Sequence, residues 1–242
     1  MNNYGLLDFI QRTRRLASIE RCSNTPHIMN YSVAQHSFFI SLYTKLFADL
    51  ENEWNKTRFE KRIDTLKAIE MALVHDLEES VTGDLLYPFK HGVGLTDELR
   101  KQLSQAIDNI IDTHVDEELF KELPTKIKDA YKRLWRRSKT EGIEGELVEA
   151  MDKFEILIFA LQEMGMGNMQ MRPIYITAMT ILLSRYNKFH TLVTVLLDID
   201  VYYLDNFIDD CCRKEEDTVI KKLVDKFKDE RGKAFKTIFE EG

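Results

Sequence analysis

Glycine and proline are scarce in this sequence, with ten and four copies among 242 residues. Neither residue occurs between Pro26 and Gly83, or between Pro173 and Gly232. These stretches lack strand-like alternation, and their apolar residues recur three and four positions apart, as on one face of a helix. We therefore predict an all-α fold. The expected helices span residues 4–20, 31–52, 57–80, 95–113, 117–138, 142–164, 171–187, 192–209 and 215–240.

Cysteine and long apolar runs are also rare. The three cysteines, Cys22, Cys211 and Cys212, are too few and odd in number for a disulfide framework, which indicates a reducing compartment. The strongest apolar run, Ile156–Leu161, is far shorter than the roughly 20 residues that a membrane helix needs. Asp8 stands where a signal peptide would be apolar. We therefore expect a cytoplasmic protein without a membrane segment.

Positive charge is not in excess, since 34 basic residues against 41 acidic ones give a net charge of −7. This balance argues against a protein whose main partner is a nucleic-acid polymer, because such proteins need basic surfaces for the phosphates. Apolar residues make up 44% of the chain and charged residues 31%, enough for a full-sized core under a charged surface. No stretch rich in proline, glycine and serine divides the chain, so we predict a single domain.

Two polar side chains occupy helix faces that are otherwise apolar. His36 shares its face with Val33 and Ile40, and Asp152 shares its face with Val148 and Phe159. A carboxylate buried on such a face is costly unless it is paired or binds a metal. Both residues are therefore candidates for a functional site.

The dipeptide His75-Asp76 follows Ala72 and Leu73 on the inward side of its own predicted helix. With six histidines and many aspartates in the chain, such a pair alone carries little information. Together with His36 and Asp152, however, it supplies two imidazoles and two carboxylates. Such a mixed nitrogen and oxygen set suits a divalent ion and leaves positions for water or substrate oxygens.

Three segments of the chain carry a resemblance to a known family. They are the string Ser-Val-Ala-Gln-His-Ser at 32–37, the string His-Asp-Leu-Glu-Glu-Ser-Val-Thr-Gly-Asp at 75–84, and Asp152, with Arg21 upstream. The pattern resembles the H...HD...D signature of HD-domain phosphohydrolases, and within them the YfbR-type bacterial 5'-deoxynucleotidases. The resemblance covers roughly residues 5 to 170. It implies a helical HD-domain bundle, here residues 1–190, with an extension over 191–242 packed on the same domain.

The resemblance also implies roles for individual residues. One divalent ion (Mn, Co, Fe, Ni, Zn or Mg) would be held by His36, His75, Asp76 and Asp152. Glu79 would be the catalytic acid or base, and Asp84 would lie near the reacting nucleotide. Arg21 would contact the phosphate. Apart from the resemblance, Cys22 beside Arg21 and Lys90 after the Thr-Gly-Asp turn are candidates for lining the substrate site. The expected partner is a small-molecule nucleotide, and we expect a homodimer.

The expected reaction is hydrolysis of a nucleoside 5'-monophosphate to nucleoside and phosphate. Two alternatives remain open: hydrolysis of a nucleoside triphosphate or its pyrophosphate, and a non-catalytic module that senses nucleotides or acts as a scaffold. The chain departs from the family pattern at Cys22, where members suited to deoxynucleotides have tryptophan, and at Gln35, where the family usually has glutamate. The small side chain at position 22 predicts weaker discrimination against the 2'-hydroxyl.

Helical geometry places Glu79 without reference to the family. A helix turns about 100° per residue, so with His75 as origin Asp76 lies at about 100° and Glu79 at about 40°. Glu78 falls at about −60° on the same count, off that face. On the predicted helix over 57–80, Glu79 therefore lies between the two predicted ligands and one turn further along.

Overall fold

The computed structural model describes residues 4–54, 62–86, 89, 92–138 and 142–203, together with a few positions between 222 and 236. These residues form helices and turns, with no strand among them, which confirms the all-α prediction. One isolated bridge joins Glu20 to Ser32. In chain order the helices are α1 (Tyr4–Arg14), α2 (Val33–Trp54), α3 (Thr65–Val74), α4 (Glu79–Thr82), α5 (Asp97–His114), α6 (Thr125–Arg137), α7 (Gly142–Gly165), α8 (Arg172–Arg185) and α9 (His190–Tyr203).

The main core lies between α2, α3, α7 and α8, in which α7 packs against each of the other three helices and α2 packs against α3. Ile40, Met71, Leu157 and Tyr175 are among its fully buried side chains. Burial of large apolar side chains is the dominant stabilising contribution in such a bundle. The two longest helices, α2 and α7, therefore have fixed positions, and they carry His36, Asp152 and Glu155, which are considered below.

A second, smaller core packs beneath the segment that follows α3. It joins Val33 at the start of α2 to Val115, Phe120 and Trp135 near α5 and α6. Helix α9 adds to the main core through Leu192 and its neighbours. Among the described residues no helix is both long and apolar enough to cross a membrane.

Two of the predicted helices are shorter in the structure, because turns of a different helical type or a proline replace part of them. The α-helix predicted over 4–20 stops at Arg14 and continues as a 3₁₀ turn to Ala17. The helix predicted over 117–138 is present only from Thr125 to Arg137, because a π turn occupies Val115–Leu119 and Pro124 precedes α6. Proline has no N–H to donate and disfavours helical geometry at the residue before it.

The prediction of one helix over 57–80 is also wrong in the described part. Helix α3 ends at Val74, residues 75–78 form turns, and α4 begins at Glu79. His75 Nδ1 lies 2.7 Å from the carbonyl of Ala72, the acceptor that Asp76 N–H would need to continue the helix. Residues 57–61, 204–209 and most of 215–240 lie outside the described residues, and the division of the chain at residue 190 stays a prediction.

Candidate metal centre

Three of the predicted ligands meet where the first turn of α2 approaches the end of α3. One ligand atom from each of His36, His75 and Asp76 can be chosen so that all lie within 4.8 Å of one another. All three side chains are buried. The His36 and His75 rings lie 5.5 Å apart, centre to centre. The fold thus brings together residues 39 and 40 positions apart in the sequence.

The two histidines present the same nitrogen to this cluster. His75 Nδ1 donates to the backbone carbonyl of Ala72, and His36 Nδ1 lies 2.6 Å from a carboxylate oxygen of Glu155. Each Nε2 is buried and makes no hydrogen bond to the part of the chain that the structure describes, although carboxylate oxygens lie 3.0 Å away. Buried polar atoms without partners are rare, and imidazole nitrogens with free lone pairs are common metal ligands. These residues fit a divalent ion.

Asp152 on α7 lies beside the group of three without being part of it. Its Oδ1 is 3.0 Å from His36 Nε2, and its Oδ2 is 2.6 Å from Lys153 Nζ. Burial raises the pKa of the Asp152 carboxyl, but Lys153, His36 and Arg21 outweigh it and hold this pKa well below its usual value. The carboxylate is therefore charged and adjacent to the cluster. Its role as a fourth ligand stays a prediction.

Arg21 lies among three carboxylates of the site. Its Nη1 is 2.7 Å from Asp76 and 3.5 Å from Glu79, and its Nη2 is 3.8 Å from Asp152. The backbone N–H of Arg21 donates to the carbonyl of Tyr31, next to the bridge that ties this loop to the start of α2. The guanidinium is therefore held at the cluster, where its fork matches the geometry of a phosphate.

Glu79, at the start of α4, faces the same cluster. Its Oε2 is buried and has no hydrogen-bond partner among the described residues. Burial and the nearby negative charge of Asp76 raise the pKa of Glu79 to about 9, although the positive charge of Arg21 acts in the opposite direction. A carboxyl group that keeps its proton at neutral pH is suited to donate one.

Glu78 points away from the cluster, as expected, but it is not at the surface. It is buried and accepts a hydrogen bond of 2.6 Å from Trp135 Nε1. The premise of a continuous helix is wrong here, because residues 75–78 form turns closed by bonds such as Glu79 N–H to Asp76 O at 3.1 Å. The two glutamates therefore have different surroundings, Glu79 at the cluster and Glu78 against Trp135.

Cys22 and Asp84 join two loops at the edge of the site. The backbone N–H of Cys22 donates to Asp84 Oδ2 at 3.3 Å, and Cys22 adopts a left-handed φ of 54°. Burial raises the pKa of the Cys22 thiol to about 11, so it is protonated and poorly suited to act as a nucleophile. Gly83, with a φ of 75°, allows the turn that places Asp84 here. Lys90, the remaining predicted substrate contact, lies outside the described residues.

Three residues near the ligands were missed by sequence reasoning. They are Glu155 and Tyr31, which contact His36, and Lys153, which pairs with Asp152. Glu155 lies three positions after Asp152, between Met151 and Phe159 on the buried side of α7. The pattern that singles out Asp152, a carboxylate on an apolar face, therefore applies equally to Glu155.

An all-α bundle that gathers two histidines and aspartate in this way is an HD-domain phosphohydrolase, a class of hydrolytic enzymes. A family model described as 5'-deoxynucleotidase YfbR-like matches residues 8–193. The chain therefore belongs to the YfbR-like 5'-deoxynucleotidase family, and the resemblance seen in the sequence is confirmed.

Individual relatives are distant in sequence. A 5'-deoxynucleotidase of Pectobacterium atrosepticum is 24% identical over 161 residues, covering 66% of this chain and 74% of the relative. The 5'-deoxynucleotidase YfbR of Shigella boydii is 22% identical over 160 residues, covering 66% and 74%. Among solved structures, an HD-domain phosphohydrolase from Listeria innocua matches with a TM-score of 0.64 and 21% identity, covering 92% of this chain and 98% of its own. The latter similarity supports the fold.

Proposed function

We propose that this protein hydrolyses the phosphate ester of nucleoside 5'-monophosphates and releases nucleoside and phosphate. The observation that carries the proposal is the buried group of His36, His75 and Asp76, with Arg21 and Glu79 beside it. The relatives named 5'-deoxynucleotidases support the substrate class. Because the small side chain of Cys22 predicts weak discrimination at the sugar, the proposed substrates include both ribonucleotides and deoxyribonucleotides.

The proposed ligands of one divalent ion are His36, His75, Asp76 and Asp152. When bound, such an ion polarises a phosphoryl oxygen and lowers the pKa of a water molecule. The guanidinium of Arg21 contacts Asp76 and so lies next to the proposed ligands. It would neutralise the negative charge that shifts among the phosphoryl oxygens during in-line attack. Glu79 donates its proton to the ester oxygen that leaves with the nucleoside. Asp84 and Cys22, linked through the Cys22 N–H, hold the two loops that flank the nucleoside.

A cationic cleft favours nucleoside triphosphates as a second candidate substrate. It has a volume of about 690 Å³ and is lined by Arg100, Lys101, Lys153 and Arg185, with Asp97 and Glu149 as its acidic residues. Lys153 connects this cleft to the cluster, because its Nζ lies 2.6 Å from Asp152. Cations in this position would suit the additional phosphates of a longer chain.

Product analysis with one base and mono-, di- and triphosphate forms tests the proposal. We expect inorganic phosphate and nucleoside from the monophosphate, with a higher kcat/KM than for the triphosphate. Release of pyrophosphate or triphosphate from the longer substrates, at higher kcat/KM, would favour the second candidate. Tight nucleotide binding without turnover, with metal present, would instead indicate the non-catalytic module.

We further propose that the chain forms a homodimer through an exposed apolar face of α2. Phe38, Leu42 and Leu46 recur every four residues and are between 49% and 62% exposed. A continuous apolar stripe of this kind is typical of an interface. Light scattering should give twice the chain mass, and Leu42→Glu should convert the dimer to monomer. A native protein that is monomeric at high micromolar concentration would contradict this.

Two further proposals concern the compartment and the end of the chain. The low cysteine content supports a cytoplasmic location, which cell fractionation with an antibody would test. The C-terminal extension is proposed to pack on the same domain, as α9 does through Leu192, Val193 and Leu196. A single cooperative unfolding transition of the whole chain would agree with one domain.

A further inference from the structure

A buried hydrogen-bonded chain lies behind His36, on the side opposite the metal cluster. Glu155 Oε2 is 2.6 Å from His36 Nδ1, and the Tyr31 hydroxyl oxygen is 3.0 Å from the same nitrogen. The Tyr31 hydroxyl also donates to Glu155 Oε2. All three side chains are buried, so water does not compete for these bonds.

The direction of donation follows from what each group can do. A carboxylate accepts hydrogen bonds and the Tyr31 hydroxyl donates to Glu155, so the proton between His36 and Glu155 lies on His36 Nδ1. The lone pair of the ring is then on Nε2, which lies 3.0 Å from Asp152 and 3.6 Å from Asp76. Glu155 therefore selects the tautomer in which His36 can be a ligand.

We infer that Glu155 is a positioning residue for the metal centre, and that Tyr31 holds Glu155 in place. Glu155 fixes the tautomer and the ring orientation that present His36 Nε2 to the other ligands. Carboxylates that orient a ligating histidine in this way raise metal affinity in many metal sites. The inference rests on the proposed metal site, and it assigns a function to a residue that contacts neither substrate nor metal.

The supporting residues are themselves held rigidly. The Tyr31 ring stacks on Phe159 with centroids 3.9 Å apart and planes 10° from parallel. Glu155 and Asp152 lie on the same helix, α7, three residues apart. One helix thus provides a carboxylate on each side of the His36 ring: Asp152 near Nε2 and Glu155 at Nδ1.

The second histidine achieves the same tautomer by other means. His75 Nδ1 donates to the backbone carbonyl of Ala72, an acceptor that does not depend on the side chain at position 72. His36 depends instead on the side chain of Glu155. Replacement of Glu155 should therefore affect the His36 side of the centre and leave the His75 side unchanged.

The test compares metal binding by the full-length protein and its Glu155→Gln variant. A glutamine amide can donate to His36 Nδ1, which would leave the proton on Nε2 and block the lone pair. We expect the Kd for Mn²⁺, measured by calorimetry, to increase by about 10- to 100-fold. The nitrogen-15 shifts of His36 in metal-free protein at pH 8 should show loss of the Nδ1–H form. Tyr31→Phe should produce a smaller change in the same direction.

Glu163→Gln is a matched control on the same helix. Glu163 is also a buried carboxylate, but it accepts hydrogen bonds from the N–H groups of Ile28 and Met29 and from the Asn168 amide. Its replacement by glutamine should lower the Tm because one of those donors loses its acceptor. The Mn²⁺ Kd of this variant should stay within twofold of the native value.

The outcomes separate this inference from the proposed function. Native Mn²⁺ affinity and an unchanged His36 tautomer in Glu155→Gln would overturn the inference, as would an equal loss of affinity in Glu163→Gln. If Glu155→Gln does not fold, a Tyr31→Phe variant with native affinity and tautomer overturns it. Native protein that binds no divalent ion would overturn the metal site itself.

Discussion

The two halves of the candidate centre are built on different kinds of backbone. His36, Asp152 and Glu155 lie on α2 and α7, which have 22 and 24 residues and are packed into the main core. His75, Asp76, Glu79 and Asp84 lie in ten residues that contain turns, a helix of four residues and a left-handed glycine. The regular half can hold ligands precisely, because long packed helices change position little. The irregular half can adjust as a nucleotide binds and leaves, because turns open at lower cost.

The largest effect is expected where the two halves meet, at Asp76. In Asp76→Ala the cluster loses a ligand, and the buried Arg21 guanidinium loses its 2.7 Å partner. We expect loss of stoichiometric metal, loss of detectable turnover, and destabilisation by about 3 kcal/mol. Elemental analysis and urea unfolding measure these. A variant that keeps its metal and native stability would show that Asp76 is not a ligand of the ion.

A change confined to the irregular half is expected at Glu79. Glu79→Ala should lower kcat by roughly 10² to 10⁴, because a positioned proton donor is lost, while metal content stays native. Metal analysis, nucleotide affinity and rate should be measured on one preparation. Loss of the metal would make Glu79 a ligand, and an unchanged rate would remove it from catalysis.

Glu78→Gln is the control for Glu79→Ala at the neighbouring residue, and this control is itself expected to affect stability. Glu78 is buried against Trp135, so this variant should lose stability. Its turnover at a temperature where it is folded should fall much less than that of Glu79→Ala. If Glu78→Gln lost turnover as severely, the assignment of the two glutamates would be reversed.

A smaller effect concerns the pH dependence of stability in the presence of chelator. The pKa of Glu79 is raised from 4.5 to about 9, so the folded protein binds more protons than the unfolded chain between these values. Stability from this group is therefore present below about pH 4.5 and is lost as the pH rises towards 9. Glu79→Gln should lose less stability than native protein between pH 6 and 9. Equal slopes in thermal unfolding would contradict the raised pKa.

The smallest effect is expected at Cys22, on the loop before α2 whose residues contact both halves. Cys22→Trp should lower kcat/KM for a ribonucleotide by about tenfold relative to the matching deoxynucleotide, because the indole would exclude the 2'-hydroxyl. Cysteine and tryptophan both have a Cβ, so the left-handed φ of 54° at position 22 is expected to cost a similar free energy in the native protein and in the variant. Cys22→Gly should leave the sugar ratio unchanged. A strong deoxyribose preference in native protein, unaffected by Cys22→Trp, would place selection elsewhere.

The regular half was largely predictable from sequence. His36 and Asp152 stand out because each is a polar residue at helical spacing among apolar ones, and periodicity reports burial directly. Glu155 shows the same pattern, yet its partner His36 lies 119 positions away in sequence. Periodicity identifies a buried side chain but does not identify what it contacts.

The irregular half was less predictable because its geometry depends on local hydrogen-bond competition. His75 takes the Ala72 carbonyl and the helix ends, although no glycine or proline precedes Gly83 in this region. Glu79 was predicted at the cluster from the angular spacing of a continuous helix, and the turns at 75–78 show that the helix is not continuous. Pro124, in contrast, is visible in the sequence, and its effect on the helix predicted over 117–138 follows from its missing N–H.

The hydrogen bond between Trp135 and Glu78 makes Trp135 an intrinsic fluorescence probe of the turn segment. The chain has two tryptophans, and of these Trp54 is 67% exposed whereas Trp135 is 6% exposed. Acrylamide will quench the emission of the exposed Trp54 selectively, so that the remaining emission comes from Trp135. The indole N–H of Trp135 donates to Glu78, the residue before Glu79. The residual emission therefore reports rearrangement of the turn segment in real time, without a label and without a chromogenic substrate.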